Sequence, residues 1–341
     1  MNRCPEVIRC SNEGNGLFWQ RQCGAADSTG TGEQKVMNVS CLKQINSRRM
    51  AKVPAFWLTL MLLLAGWGIH TQLRAEDESL KLSGTWNILL IGSDRRSDNW
   101  NGNSDTMILI TINHDVQKIF MVSFMRDLYA NIPGYGAQKL NNAYAVGGSS
   151  LLAQTLESNF GVTVDNCLAA DFVQVEAVLD LFGGVDVDVT DAEASVANDY
   201  ITMLCLEQNL NAGDYYITGG GVRHLNGVQA LGYMRNRFVG DNDYERTQRQ
   251  REVLQAVMGN LKSTDVSELV RMAKETLDIV DDDLSAIDIL KLGAQLGAAR
   301  KYTLVTDRIP YDGLYHNQGE MLVPEQPATN ERLASTIYAA E

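Results

Sequence analysis

The chain has 341 residues, of which 29 are Lys or Arg and 42 are Asp or Glu, so its formal net charge is −13. With 45% hydrophobic and 21% charged residues, it is not a collagen-like, coiled-coil or wholly disordered protein. Residues 1–52 carry eight basic and four acidic groups, a sum of +4, which leaves −17 for the remainder. Because so acidic a domain repels a phosphate backbone, we expect no nucleic-acid partner.

The first predicted element is a membrane anchor over residues 53–73. This run has no formal charge, and an α-helix needs about 20 apolar residues to cross the hydrocarbon core. Arg48, Arg49 and Lys52 precede the run whereas acidic residues follow it, so the positive-inside rule predicts a cytoplasmic N-terminus. We therefore expect a disordered cytoplasmic tail over 1–52 and a single-pass protein of the cell membrane, with everything after residue 75 outside.

Two alternatives to an anchor are a cleaved signal peptide and a buried core helix. The run begins more than 50 residues from the N-terminus and no convincing cleavage site follows it, which disfavours a signal peptide. Trp57 and Trp67 near its ends, together with the basic flank, favour a membrane span over a core helix. Met37 and Met50 both precede the run and are alternative translation starts.

Six cysteines are present, and only Cys167 and Cys205 follow the predicted span. A disulfide could persist outside the cell, but sequence does not give the Cα separation that a bridge requires. Pairing and free thiols are therefore both open. The four cysteines of the tail match no zinc-ligand spacing.

Residues 76–84 are predicted to form a polar tether, and residues 85–341 one extracellular domain. Strand-like runs occur at Trp86–Gly92, Thr106–Ile112, Lys118–Phe124, Val185–Val189 and Tyr302–Thr306. Helical periodicity occurs at Ser150–Phe160, Asp171–Phe182, Gly227–Tyr233, Tyr244–Leu261 and Ser267–Ile279. Because strands and helices alternate, we expect an α/β layered fold with a central sheet.

Two carboxylates mark the ends of neighbouring predicted strands. Asp94 follows the first strand and Asp105 opens the second, so the two can lie close together. Mg²⁺ typically takes one or two carboxylates, with phosphate oxygens and water as its other ligands. An Asp turn and a loop ion pair explain these two residues equally simply, and without further signals that interpretation would prevail.

Arginines concentrate in one part of this acidic domain, since six fall within residues 223–251. Arg235 and Arg237 are two apart and would point to one side of an extended segment, whereas Arg246 and Gln250 are four apart and share a helix face. Guanidinium groups bind phosphate well, so this concentration indicates an anion pocket. For Arg249 and Arg251 we favour the alternative, a solvated helix face paired with Asp241, Asp243 and Glu252.

Six ordered motifs over roughly residues 85–255 resemble the LytR-CpsA-Psr family. They are Gly-Ser-Asp-Arg-Arg (92–96), Ser-Asp-Thr-Met (104–107), Ser-Phe-Met-Arg-Asp-Leu (123–128), Lys-Leu-Asn-Asn-Ala-Tyr-Ala-Val-Gly-Gly (139–148), Leu-Phe-Gly-Gly-Val-Asp-Val (181–187), and Ala-Leu-Gly-Tyr-Met-Arg-Asn-Arg (230–237) through Arg-Thr-Gln-Arg-Gln (246–250). The resemblance implies a three-layer α/β/α domain with a central mixed sheet behind one membrane span. It also implies an Mg²⁺-dependent phosphotransferase that moves a glycopolymer, such as teichoic acid or capsule, from a polyprenyl-pyrophosphate carrier to peptidoglycan.

The same resemblance assigns expected roles to individual residues. Asp94 and Asp105 match the positions that hold Mg²⁺ and neighbour the pyrophosphate. Arg126, Arg235, Arg237 and Arg246 match pyrophosphate-binding arginines, with Gln250 as their partner. Arg95 and Lys139 lie in motifs that face the same pocket. The catalytic set implied is Asp94, Asp105, Arg126, Arg235 and Arg237, while the general base is left unassigned.

Two departures from the family pattern bear on rate more than on class. Asn103 stands where many relatives have Arg, which removes a cation near the leaving phosphate, and Met125 stands where Pro is usual. Two other functions stay open. One is a polyprenyl-phosphate-binding or envelope regulatory protein, and the other is a pyrophosphatase that releases the polymer to water.

Overall fold

The structure is a computed structural model that describes residues 84–95, 100–240, 242–284, 295 and 297–338, together with two short N-terminal strands. The chain divides into two units, 1–77 and 78–341. In the first unit, β1 (Ile8–Asn12) and β2 (Leu17–Arg21) pair antiparallel. The rest of the predicted tail, the predicted span 53–73 and the tether up to residue 83 lie outside the described residues. Among the helices that the structure describes, none combines the length and the apolar character needed to cross a bilayer.

The second unit contains the following elements. Its strands are β3 (Thr85–Ser93), β4 (Ser104–Asn113), β5 (Lys118–Phe124), β6 (Tyr129–Ile132), β7 (Gly136–Lys139), β8 (Asn166–Ala170), β9 (Val185–Val189), β10 (Gly221–Leu225), β11 (Asp281–Asp282), β12 (Thr303–Ile309), β13 (Tyr315–Gln318) and β14 (Met321–Pro324). Its helices include α1 (Asn141–Phe160), α2 (Phe172–Leu181), α3 (Asp191–Gln208), α4 (Gly227–Arg235), α5 (Asn242–Leu261), α6 (Val266–Ile279) and α7 (Gln326–Tyr338).

Six strands form a mixed sheet in the order β11–β8–β3–β4–β5–β12. Strand β4 is antiparallel to both of its neighbours, β3 and β5, while β8 runs parallel to β3 and β12 parallel to β5. Each central strand is a nearly continuous aliphatic run, which is the pattern of a sheet covered on both faces. The predicted α/β fold with a central mixed sheet is confirmed.

Alternate residues of the central strands divide between the two faces. Leu89, Leu109 and Val122 belong to a buried cluster that includes Leu152 of α1 and Leu333 of α7. Leu90 and Ile108 face the opposite way and line a cavity beneath α2, α4 and α5. Helices therefore cover both faces of the sheet, in three layers.

All five predicted strands are present, although β9 pairs with β10 outside the six-stranded sheet. The predicted helix at Ser150–Phe160 begins earlier, at Asn141, and is interrupted at Gly148, whose φ of 63° favours glycine. Helices α2, α3 and α4 each begin with a capping box, formed by Asp171 with Gln174, Thr190 with Glu193, and Asn226 with Gln229. These caps fix where the helices around the cavity start.

The two cysteines of this unit are free and buried. Cys167 packs with Leu89 in one hydrophobic cluster, whereas Cys205 packs with Val187 in another. Burial raises the pKa of the Cys167 thiol to about 12, with a further contribution from the charge of Asp283. A thiol in such surroundings is unreactive, so the open question of pairing is answered by two buried free thiols.

Candidate active site

An apolar cavity of about 230 Å³ lies between the sheet and the helices of the second layer. Its aliphatic wall includes Leu90, Ile108, Val175, Leu179, Leu231 and Leu254. Its charged and amide-bearing lining consists of Asp105, Arg235, Arg237, Arg246 and Gln250. Such a cavity can hold a molecule with an apolar tail and an anionic head group, because each part finds a matching environment.

Arg126 connects the end of β5 to two carboxylates from distant parts of the chain. Its Nη1 lies 2.8 Å from Asp105 Oδ1, its Nε lies 3.0 Å from Asp243 Oδ2, and Asp127 is 3.6 Å away. Burial lowers the pKa of Arg126, but the hydrogen bond that it donates to Asp105 and the surrounding carboxylates outweigh burial and raise the pKa well above its usual value. Arg126 is thus a permanent cation that holds Asp105 in place beside the cavity.

Arg246 is the most buried of the arginines that line the cavity. Its side chain is only 7% exposed, and its Nη2 lies 3.4 Å from Asp243 Oδ1. Its Nε is buried and has no hydrogen-bond partner in the described part of the chain. Burial lowers the pKa of Arg246, and the neighbouring charges of Arg126 and Arg237 lower it further against the opposing effect of Asp243. A buried guanidinium with an unused donor is a ready site for an anion.

Gln250 lies one helical turn after Arg246 and also lines the cavity. Both side chains come from α5, and both residues are buried. The expectation that these two residues share a helix face is therefore confirmed. Their common orientation gives the cavity wall a cation and an amide side by side.

Arg235 and Arg237 both line the cavity, but the predicted extended segment is wrong for Arg235. Arg235 is the last residue of α4, a helix fixed at its start by the Asn226 cap and favoured at its end by a cation. Its guanidinium lies 4.1 Å from the ring centroid of Phe172. Arg237 follows in the loop and is exposed.

Asp94 closes the turn between β3 and β4. Its Oδ1 accepts a hydrogen bond of 2.5 Å from the Asn103 amide, and its own amide donates to the Asn103 carbonyl oxygen at 3.1 Å. Gly102 in this turn has a φ of 77°, and a Cβ there would lie 2.8 Å from Asp94 Oδ1. Asp94 is not among the residues that line the cavity. In the described structure Asp94 therefore stabilises a turn and Asp105 forms an ion pair with Arg126, as the alternative interpretation of these two residues predicts.

Arg95 and Lys139 form ion pairs and do not line the cavity. Arg95 lies 2.8 Å from Asp281 and 3.3 Å from Asp171, at the start of α2. Burial lowers the pKa of Arg95, but the charges of these two carboxylates raise it overall.

Lys139 lies 2.9 Å from Asp127 and 3.0 Å from Glu320. The hydrogen bond with Asp127 is the main cause of the raised pKa of Lys139. Because Asp127 also lies 3.6 Å from Arg126, Lys139 is linked to the central arginine through this carboxylate.

The solvated helix face predicted for Arg249 and Arg251 is wrong. Arg249 is 3% exposed and donates to Glu193 at 2.8 Å, to the carbonyl of Asn236 at 2.9 Å and to that of Val239 at 2.7 Å. Arg251 is half-buried, and its Nη1 is buried without a hydrogen-bond partner in the described residues. Tertiary packing of α5 against α3 and the loop after α4 explains the burial of Arg249.

Asp243, Asp127 and Phe172 contribute to this region without having been predicted to do so. Asp243 bridges Arg126 and Arg246, whereas the sequence predicts that it pairs with Arg249 and Arg251 on a solvated helix face. Its position in the first turn of α5, where a carboxylate is favoured, was the available signal. Phe172 carried no signal, because stacking with Arg235 depends on the placement of two separate helices.

The fold and the site define an α/β domain that can hold an anionic head group beside an apolar tail. The family model described as the LytR_cpsA_psr family matches residues 65–336. The chain belongs to this family, which confirms the resemblance found in its motifs.

Two of the curated relatives that the chain matches show the range of names in this family. One is TagU of Oceanobacillus iheyensis, named polyisoprenyl-teichoic acid–peptidoglycan teichoic acid transferase. It is 35% identical over 214 residues, which cover 60% of this chain and 60% of TagU. The chain thus matches less than two thirds of the length of TagU. The regulatory protein MsrR of Staphylococcus aureus is 29% identical over 245 residues, covering 70% of this chain and 68% of MsrR.

A solved structure supports the same fold. The structure of Bacillus subtilis TagT with bound octaprenyl pyrophosphate lipid is 23% identical and has a TM-score of 0.53. The match covers 78% of this chain and 98% of TagT. This likeness is one of fold.

Proposed function

We propose that the protein is a phosphotransferase that moves a glycopolymer from a polyprenyl-pyrophosphate carrier to peptidoglycan. The observation that carries this proposal is the buried Arg246, whose Nε has no partner in the described residues and which belongs to the wall of an otherwise aliphatic cavity. A diphosphate attached to a polyprenyl chain supplies both the anion and the apolar tail. The name of the TagU relative and the lipid bound to TagT favour the same substrate class.

The arginines would act by electrostatics. A hydroxyl oxygen of peptidoglycan would attack the phosphorus that carries the polymer, and the bond from that phosphorus to the polyprenyl-phosphate oxygen would break. The products are a phosphodiester and polyprenyl phosphate, while the hydroxyl proton passes to a general base to which no residue is assigned. Arg235, Arg237 and Arg246 would stabilise the negative charge that grows on the leaving phosphate.

Asp94 and Asp105 are the proposed Mg²⁺ ligands. No group of three or more acidic, histidine or cysteine side chains in the described residues could hold a metal by itself. Two carboxylates still fit Mg²⁺, since this ion commonly takes one or two carboxylates and fills its remaining positions with phosphate oxygens and water. When bound, Mg²⁺ would neutralise part of the diphosphate charge. Arg126 would keep Asp105 oriented through their 2.8 Å contact.

We also propose that the protein is anchored in the cell membrane, with its N-terminus in the cytoplasm and the α/β domain outside. The uncharged run at 53–73 and the basic residues before it support this topology. A carrier lipid in the outer leaflet would then lie next to the domain that uses it. Protease added to intact cells should digest the domain after residue 75, and full resistance would contradict this orientation.

The function is tested by incubating the full-length protein, in detergent, with Mg²⁺, a synthetic polyprenyl-pyrophosphate glycan and peptidoglycan oligomers. Mass spectrometry should detect a phosphodiester-linked conjugate, and chelation with EDTA should reduce its formation. Free phosphorylated glycan without conjugate would instead indicate a pyrophosphatase, and unchanged substrate that co-purifies would indicate a binding or regulatory role.

Paired variants locate the activity in the cavity. Arg237→Ala should lower the rate at least tenfold, because it removes a cation from the proposed diphosphate site. Arg271→Ala is the matched control, since Arg271 is also exposed but pairs with Glu268 and Glu275 on α6. Equal rates in the two variants would contradict the assignment of the site.

A further inference from the structure

A second pocket, of about 260 Å³, lies on the other side of α5 from the cavity. Helix α5 contributes Tyr244, Gln248 and Arg251 to it, at spacings of four and three residues that form one stripe along the helix. The stripe that lines the cavity includes Arg246, Gln250 and Val253. Each of these three residues comes two positions after the corresponding residue of the first stripe. Two residues correspond to about 200° around a helix of 3.6 residues per turn, so the two stripes lie on opposite sides of the helix. Helix α5 therefore separates the two sites.

Arg251 lines the second pocket and carries a hydrogen-bond donor without a partner in the described part of the chain. Its Nη1 is buried and has no partner among the described residues. Burial lowers the pKa of Arg251 and the charge of Arg308 lowers it further, while the charges of Asp307 and Glu252 oppose these effects. Two guanidinium groups beside one pocket repel each other, and an anion between them relieves both the repulsion and the unused donor.

Arg308 and two tyrosines form the rest of the basic and aromatic wall. Arg308 stacks 4.4 Å from the ring centroid of Tyr244 and lies 2.5 Å from Asp312. The Tyr244 hydroxyl donates to the Tyr315 hydroxyl at 2.6 Å. An aromatic ring with a polar tip suits a ligand that presents both carbon–hydrogen faces and hydroxyl groups, as a sugar does.

Glu245 and Asp312 also line this pocket. Their negative charges determine which class of anion the pocket can bind. Two arginines and two carboxylates leave the pocket without net charge. A polyanion such as a polyol-phosphate chain would meet repulsion there as well as attraction. A ligand with one carboxylate and several hydroxyl or amide donors would satisfy all four groups.

We propose that this second pocket is the acceptor subsite and binds a carboxylate-bearing amino-sugar–peptide unit of peptidoglycan. The inference rests on the proposed transferase function and deepens it. The ligand's carboxylate accepts hydrogen bonds from Arg251, while its hydroxyl and amide groups donate to Glu245 and Asp312. Tyr244 directly follows Asp243, whose carboxylate lies 3.0 Å from Arg126, so the pocket reaches the first turn of α5 and the acceptor would extend past this turn to the charged cluster of the cavity.

The test measures binding and transfer separately with the full-length protein in detergent. Isothermal titration calorimetry uses a disaccharide–tetrapeptide fragment of peptidoglycan, and the same fragment with its carboxylates amidated. We expect Arg251→Gln to weaken binding of the first fragment at least tenfold, and amidation to do the same for the unmodified protein. In the transfer assay, the KM for acceptor should rise at least tenfold, while kcat and donor affinity stay unchanged. Arg271→Gln, which removes an exposed arginine from α6, is the matched control.

The outcomes distinguish this inference from the proposed function. Arg251-dependent binding without any transfer would support the pocket but contradict the transferase. Transfer with an unchanged KM for acceptor in Arg251→Gln would overturn the pocket, as would binding of a polyol-phosphate fragment in place of the peptidoglycan fragment. Glu245→Gln, which removes a carboxylate proposed to accept from the ligand, decides the question if Arg251→Gln does not fold, and fragment binding equal to that of the unmodified protein would then overturn it.

Discussion

Arg246 and Arg249 are buried arginines on the same helix, and we predict that replacing them changes stability in opposite directions. Arg246 is 7% exposed at its side chain, has only a 3.4 Å contact with Asp243, and keeps its Nε unbonded within the described residues. Arg249 is 3% exposed and makes three contacts of 2.7–2.9 Å. The unpaired buried donor of Arg246 destabilises the folded state, whereas the three contacts of Arg249 stabilise it.

The magnitudes follow from these contacts. Arg246→Gln removes a buried donor whose lack of a partner costs about 1–3 kcal/mol, and Asp243 keeps its 3.0 Å contact with Arg126. After subtraction of the weak ion pair we expect a gain of about 1 kcal/mol, or roughly 2–4 °C in Tm for a domain of this size. Arg249→Gln leaves Glu193 without its buried cation and should cost about 3 kcal/mol, or roughly 6–12 °C.

Thermal unfolding followed by circular dichroism measures both changes, and lipid titration measures their functional counterpart. Arg246→Gln should weaken binding of a polyprenyl pyrophosphate roughly 10- to 150-fold, since hydrogen bonds to a charged group are worth about 1.5–3 kcal/mol. Destabilisation by Arg246→Gln equal to that by Arg249→Gln would refute the reasoning, because Arg246 would then be an ordinary structural ion pair. Unchanged lipid affinity would refute its role as an anion ligand.

Three further predictions concern other buried groups. Burial raises the pKa of Glu176, so the folded state should gain stability as pH falls from neutral through that raised pKa. Glu176→Gln should abolish this gain and stabilise the protein by about 1 kcal/mol at pH 7. Urea unfolding at several pH values measures both effects. Gly102→Ala should cost about 1–3 kcal/mol more than Gly134→Ala, since both have φ near 80° but only the first would place its Cβ against backbone atoms; equal losses in thermal unfolding would contradict this. Cys167 and Cys205 should resist iodoacetamide in the native protein and react after unfolding, and a disulfide-linked peptide in mass spectrometry would disprove the free thiols.

Local rules predicted the parts of the site that lie on one element. Arg246 and Gln250 share a helix face because they are four residues apart, and the structure places both at the cavity. Asp94 and Asp105 were expected at the adjacent ends of β3 and β4, and the antiparallel pairing of these strands brings those ends together. The aliphatic runs of β3, β4 and β5 also predict these strands, because each run lies within a single element.

Arg235 shows how a local pattern can be misread. The spacing of two to Arg237 predicts an extended segment, but the Asn226–Gln229 capping box starts a helix that continues to Arg235. The predicted helix stopped at Tyr233, two residues too early. A cation in the last turn of a helix is favourable, and this rule would have extended the helix to include it.

The remaining features depend on contacts between distant parts of the chain. Arg126 and Asp243 are 117 residues apart, so no local pattern announces their hydrogen bond. Arg249 was expected in solvent because its neighbours in sequence are charged, yet the loop at 236–239 and Glu193 of α3 enclose it. Tertiary packing decides which charged residue of a helix is buried, and a single sequence does not contain that information directly.

Helix α5 presents one arginine with an unused buried donor to each of the two pockets that it separates. Among the described residues, Arg246 Nε is a buried donor without a partner, and its residue lines the apolar cavity. Arg251 Nη1 is a second such donor, and its residue lines the polar pocket. Unsatisfied buried donors cost stability, and we infer that the ligands proposed for the two pockets supply the missing acceptors. A transferase must hold a donor and an acceptor on either side of the bond that it forms. The placement of these two arginines on one rigid element would keep the two substrates at a fixed separation.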